Sequence, residues 1–144
     1  MIQQIGGSNT ILEEDDFRNQ LQTENQVCVL DFSASWCGPC KLMYPYLEQI
    51  QNVFTSQDVH IPFYKVDVSE PDNEFCDEFS INSLPTLVFM KNGQELFRTE
   101  GFTRDGSKLV EAFAQCQDAV DCPVRLATLV QSVFLPSDTI ELSA

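Results

Sequence analysis

Two thiols lie three positions apart in Trp36-Cys37-Gly38-Pro39-Cys40. A pair at this spacing can pass two electrons to a disulfide and close into a disulfide of its own. The thiolate is the nucleophile in such exchange, so one of the two must ionise readily. The flanking pattern supplies a reason. An apolar run at residues 27–32 reads as a strand, and an amphipathic pattern starts at Cys37. That places Cys37 at a helix N-terminus and Cys40 one turn inside. Unsatisfied amides and the positive end of the helix dipole favour an anion there. The pKa of Cys37 is therefore expected to be depressed. Gly38 and Pro39 permit a tight start to the helix and remove a competing amide. The competing use of such a pair is half a zinc site. Zinc needs further ligands at workable spacing, and His60, the one histidine, and the other cysteines offer no second pair. No metal is expected.

Asp31 stands inside the apolar strand, where burial raises a carboxyl pKa. It is positioned to take and return the proton of Cys40 through a water, as general base and acid. The plainer alternative is an acid in a solvated pocket at a strand end. Cys28 and Cys76 read as small hydrophobes in the core. Cys116 and Cys122 bracket a helix end and read as two unrelated thiols, with a regulatory disulfide as the alternative. His60 falls in a polar turn and reads as solvated.

The elements that hold these residues follow the hydrophobic pattern. Residues 1–7 read as a loose lead-in and 8–12 as a short edge strand. An acid-led helix follows, with Phe17 and Leu21 on one face. The strand at 27–32 is nearly all apolar, as in a sheet covered on both sides. The helix from Cys37 carries Leu42, Met43, Tyr46, Leu47, Ile50 and Phe54, with a kink expected at Pro45. Residues 61–68 read as a strand. Pro71 can start a helix whose inner face is Phe75, Cys76 and Phe79. After Ser83-Leu84-Pro85-Thr86 comes a strand at 87–90, a hairpin at Asn92-Gly93 and a returning strand closed by Gly101. Asp105 or Ser107 caps a further helix. The expected fold is α/β, a central mixed sheet with helices on both faces. Residues 118–144 add an extra C-terminal helix opened by Pro123, with Leu126, Leu129, Val130, Val133 and Phe134 on one stripe. Pro136 ends it, and Ile140 and Leu142 alternate in the tail.

Whole-chain totals bound the function. The 144 residues suit one domain, and 43% apolar content is enough for a core. Acids outnumber bases 22 to 8, for a net charge of −14, which argues against nucleic acid and anionic membranes as partners. No apolar run reaches membrane-spanning length, and the first residues resemble neither a signal nor a transit peptide. A cytoplasmic, reducing setting is the default expectation, and there Cys-X-X-Cys reads as redox chemistry.

Residues 8–117 resemble the thioredoxin family, whose active-site sequence is WCGPC and whose own active-site thiol is a known instance of pKa depression at this motif. Lys41 and Pro45 follow as in the family. Asp31 stands at its buried acid, Lys65 at a partner lysine, Pro85 at its cis-proline and Gly101 at the glycine beside the substrate groove. Ser33 departs from the tryptophan of many members, and Leu84 is bulkier than the usual neighbour of the cis-proline. The resemblance implies that Cys37 attacks a target disulfide, that Cys40 resolves the mixed disulfide, and that Cys37 and Cys40 pair when oxidised. Lys65 then either pairs with Asp31 and tunes it or snorkels to the surface. A cis Pro85 presents the Leu84 backbone beside Cys37 for β-augmentation by a target strand. Trp36, Pro39, Leu84 and Gly101 form the rim of that groove. The implied function is reduction of protein disulfides with no cofactor beyond the cysteine pair, with a thioredoxin reductase as donor. The alternative is a thioredoxin-fold scaffold that docks a partner on its C-terminal helix. A monomer is expected, with a dimer through that helix as the alternative.

Overall fold

The computed structural model describes residues 1–6, 10–23, 25–70 and 73–135. Its centre is β3 (Cys28–Ser33), buried at every position. A strand buried on both faces needs apolar side chains pointing both ways, and the sequence CVLDFS supplies them at all but Asp31 and Ser33. β3 pairs in parallel with β4 (Phe63–Asp67) and antiparallel with β5 (Thr86–Lys91). β5 turns at Asn92-Gly93, both with positive φ (54° and 77°), and returns as β6 (Gln94–Glu100). The two left-handed residues match the right-handed twist of the hairpin, which is why Asn-Gly serves there.

The sheet has six strands in the order β2-β1-β4-β3-β5-β6. The first strand corrects the sequence reading. Residues 2–5, expected within a loose lead-in, form β1 (Ile2–Ile5), antiparallel to β4, with Ile2 and Ile5 buried. The free edge of β4 is what orders them, and no local signal reveals that edge. β2 (Ile11–Leu12) adds a short edge strand; the rest of the expected strand at 8–12 begins on Ser8 and Asn9, outside the described residues. The expectations for Pro71, Pro136, Ile140 and Leu142 also lie outside them.

Helices cover both faces. Even-numbered residues of β3, Cys28, Leu30 and Phe32, face a core shared with Phe17 of α1 (Glu14–Thr23) and Phe75 of α3 (Glu74–Glu78). On the odd-numbered side, Val29 faces α2 (Gly38–Ser56) and α4 (Ser107–Cys116), with Met43, Leu47, Ile50 and Phe113 at or near zero exposure. α2 continues through Pro45. Leu42, read with its apolar face, is exposed.

The C-terminal helix, α5 (Leu126–Phe134), packs into that second core. Leu126 and Val130 are fully buried, and Leu129, Val133 and Phe134 pack partly buried around them. The helix starts at Leu126, after Arg125, and not at Pro123. Its start is held from α4's end: the Gln117 side chain accepts the Leu126 amide at 2.7 Å and donates to the carbonyls of Cys122 and Val124. The N-cap of α4 is Gly106, not Asp105 or Ser107 as expected; the Asp105 carboxylate, one residue before the cap, accepts the Ser107 amide at 3.0 Å.

Because α5 completes the core, Leu126→Ala is expected to lower unfolding stability by about 2–5 kcal/mol. Leu135→Ala, at an exposed position, should change it by less than about 0.5 kcal/mol. Urea denaturation of the two variants beside wild type measures this, and equal losses would show that α5 is not part of the core.

Candidate active site at the Cys37–Cys40 pair

The chain leaves β3 at Ser33, turns through Ala34, Ser35 and Trp36, and enters α2. The Cys37 amide donates to the Ala34 carbonyl at 3.1 Å and closes the turn. Cys37 is the N-cap, with extended backbone angles, and Gly38-Pro39 opens the first helical turn. The Cys37 sulfur accepts the Cys40 amide at 3.2 Å. This is the capping contact that a serine or aspartate oxygen normally makes. Cys37 and Cys40 are joined in a disulfide across a Cα–Cα distance of 5.3 Å. Cys37 is 6% exposed and Cys40 is 4% exposed.

Pro85 follows Leu84 through a cis peptide bond and is buried. The Gly101 amide donates to the Pro85 carbonyl at 2.8 Å. The thiol loop is pinned on its other flank. The Trp36 indole donates to the Ser69 carbonyl at 3.3 Å, and the Ser35 amide to the Ser69 hydroxyl at 2.9 Å. Ser69 in turn donates to Asp67 through both its amide and its hydroxyl. Burial alone would raise the Asp67 carboxyl; the Ser69 hydrogen bonds, with help from the chain's amino terminus and Lys65, bring it below its ordinary value.

A groove of about 770 Å³ opens on the disulfide, with Trp36, Cys37, Pro39 and Leu84 among its walls. Trp36 is 68% exposed, a large apolar face left in water. Gly101, expected on the same rim, does not line this groove; it stands behind Pro85, bonded to it. Cys76, read as a core hydrophobe, is only half-buried and reaches the groove wall. Burial raises its thiol pKa, with Asp77 adding to the effect.

On the odd-numbered face of β3, Asp31 is 2% exposed, and burial pushes its carboxyl up to about 7 against the pull of Lys65. Its Oδ1 has no hydrogen-bond partner among the described residues. Lys65 stands opposite Asp31 in the β3–β4 register, yet its ammonium lies 4.9 Å from the Tyr44 ring centre. No ion pair joins it to Asp31 among the described residues, so it acts on the acid through its field. Neither reading of Lys65 from sequence anticipates the aromatic ring. In the sequence Ser33 stands out only as a departure from the tryptophan of many family members. Its buried hydroxyl, also unpartnered, lies on the same face of β3 as Asp31, two residues on. A polar residue spaced two from a buried acid on one strand is the signal that could have found it.

The remaining cysteines stand apart from this chemistry. Cys28 is buried in the other core. Cys116 and Cys122 are both free, as two unrelated thiols; Cys116 is pushed up to about 12 by burial. His60 is exposed beside Asp58. No group of three metal-ligating side chains occurs among the described residues, and no helix among them is long and apolar enough to cross a membrane.

Comparison with known proteins agrees with this geometry. The thioredoxin family model matches residues 8–115, ending before α5. A thioredoxin of Malassezia sympodialis is 42% identical over 101 residues, covering 70% of this chain and 90% of that protein. The crystal structure of the Malassezia sympodialis thioredoxin superposes with a TM-score of 0.60 at 36% identity, covering 78% of this chain and 90% of that one. A further structure, from work on the thiol-resolving mechanism of a yeast mitochondrial 1-Cys peroxiredoxin via glutathione and thioredoxin systems, gives 0.55 at 29% identity, over 75% of this chain and 91% of its own. By the length of the family match and the identity of this relative, the chain belongs to the thioredoxin family and is a thioredoxin-type oxidoreductase.

Proposed function

We propose that the protein reduces disulfides of target proteins, with Cys37 attacking and Cys40 resolving. The observation that carries this is the Cys37 sulfur at the start of α2, accepting the Cys40 amide and facing the groove. In the reduced protein the same amide and the helix dipole favour the Cys37 thiolate. The thiolate attacks one target sulfur, the target disulfide breaks, and a Cys37–target disulfide forms. The released target thiolate takes up a proton. Cys40 then loses its proton and attacks the Cys37 sulfur. The second target thiol leaves, and two electrons have passed from the cysteine pair to the target.

Asp31 is the group that takes the Cys40 proton. A carboxyl raised to about 7 is partly ionised at neutral pH and matched to such a transfer. Lys65 keeps its pKa from rising further. Trp36, Pro39 and Leu84 seat the target, and the Leu84 backbone before the cis-proline offers it an edge for strand pairing. Gly38 lets the target approach: a Cβ there would meet nothing within 4 Å, and Gly38 itself is exposed. The cycle uses no cofactor beyond the disulfide; a thioredoxin reductase returns the electrons. Protein targets fit the peroxiredoxin setting of the structural relative, and a reducing compartment such as the cytosol fits a centre that must be re-reduced.

Insulin reduction driven by dithiothreitol tests the reading: wild type should speed precipitation, and Cys37→Ser should fall to background. Cys40→Ser should capture targets in a disulfide through Cys37; gels showing no thiol-reversible adduct would reverse the order of attack. For Asp31→Asn, the rate should drop by at least about tenfold and its rise through neutral pH should vanish. The same variant has a stability signature. A carboxyl raised in the folded state contributes fully below its unfolded pKa and loses that contribution as pH climbs through about 7. Thermal midpoints should therefore show Asp31→Asn gaining on wild type between about pH 4 and pH 8, and a gain that is flat with pH would mean Asp31 is not raised.

A further inference from the structure

The ring of Phe134, on the last turn of α5, touches both ends of the segment 102–106. At one end lies Gly106, with φ +75°, where a Cβ would come 2.5 Å from the Phe134 ring. At the other end Phe102 lies 6.4 Å away, centre to centre. Tyr46 of α2 closes the set, stacked on Phe134 at 4.5 Å and 21° and lying 5.7 Å from Phe102. Offset aromatic packing of this kind holds rings in place beyond the effect of apolar burial.

This segment leads directly to the target groove. Phe102 follows Gly101, whose amide is bonded to the cis-Pro85 carbonyl. Glu100, before it, accepts from the Ser83 hydroxyl through its side chain and from Lys108 through its carbonyl. Within the segment, the Gly106 amide donates to the Thr103 carbonyl at 2.9 Å. The backbone that flanks Leu84-Pro85 is thus packed at its far side against Tyr46 and Phe134, and the Phe134 ring lies beyond residues 8–115, the part matched by the family model.

We propose that Phe134 is a positioning residue for target recognition: α5 sets the placement of Gly101 behind Pro85, and through the Gly101–Pro85 bond the Leu84 edge of the groove and the affinity for protein disulfides. This rests on the reductase reading above and adds a role for the C-terminal helix in that site. Small disulfides need only the Cys37 sulfur, whereas a protein strand must pair along the groove. The ring is therefore expected to matter for one class of substrate and not for the other.

Steady-state reduction of insulin, with dithiothreitol as donor, tests this beside reduction of dithiobis-nitrobenzoate by the pre-reduced protein freed of dithiothreitol. In Phe134→Ala the KM for insulin should rise roughly tenfold with kcat held, while the dithiobis-nitrobenzoate rate stays at the wild-type value. Phe134→Tyr keeps the ring and should restore the insulin KM. Hydrogen exchange at the amides of residues 101–106 should quicken in Phe134→Ala alone. Should Phe134→Ala fail to fold, Phe134→Leu keeps apolar volume without the stacked ring and should show the same split. An unchanged insulin KM in a folded variant overturns the proposal. So does a parallel loss on both substrates, which would place the effect on the disulfide itself. Wild type inert toward both substrates would be a different failure, that of the reductase reading, and would take this inference with it.

Discussion

The structure depends on one backbone contact, the amide of Cys40 aimed at the sulfur of Cys37. A helix leaves its first amides without carbonyl partners, and in most proteins a serine or aspartate oxygen fills the gap. Here a sulfur does. The contact exists only if α2 starts where β3 ends, so the sheet must hold that junction in place. β3 is buried along its whole length between α1 and α3 on one side and α2 and α4 on the other. The Trp36 and Ser35 bonds to Ser69 fix the turn from the flank of β4. The electrostatics of one sulfur therefore rest on the packing of two hydrophobic cores.

Burial alone would work against this chemistry, and the chain contains its own comparison. Cys116 is as buried as Cys37 but stands at the C-terminal end of α4, its thiol 3.5 Å from the Phe113 carbonyl. Desolvation pushes it up to about 12. A carbonyl meets Cys116 where an amide meets Cys37, so only the Cys37 sulfur has a backbone donor aimed at it. Asp31 shows the same desolvation acting on a carboxyl. The loss of water that would silence a thiol lifts a carboxyl to about 7, into the range of proton exchange at neutral pH. One low-dielectric interior thus raises both Cys116 and Asp31, whereas the Cys37 sulfur has a backbone donor pointed at it.

What the sequence made legible was local. The thiol spacing, the unbroken apolar run of β3, the Asn-Gly hairpin and the stripe of α5 each occupy a short window with its own period or turn chemistry. Pro85 was legible only through the resemblance, since nothing in Leu84-Pro85 itself demands a cis bond. Contacts between distant segments were not legible. β1 is ordered by the free edge of β4, some sixty residues on in the chain. The start of α5 is held by Gln117, a residue that its own sequence neighbourhood gives no reason to single out. Ser33 and Asp31 share a face that becomes a site only when α2 lies over it. Lys65 could be placed opposite Asp31 by register, but the Tyr44 ring that draws its ammonium aside belongs to another element.

The packing of the C-terminal helix bears on the scaffold alternative that the sequence left open. A scaffold that docks partners on α5 needs the apolar stripe of that helix to face outward. Leu126 and Val130 have no exposure left, and the residues that α5 keeps in solvent are Thr128, Gln131 and Ser132. The fit is reciprocal as well. Gly106 caps α4 with no side chain of its own, in a left-handed conformation, and the space that a side chain would fill is taken by Phe134. A glycine at that position suits a domain that has a helix to receive. α5 is therefore part of the domain's interior, and Trp36, on the rim of the thiol groove, is among the large apolar side chains left exposed. In a chain of net charge −14, that exposed indole beside the disulfide suits the apolar target recognition proposed above.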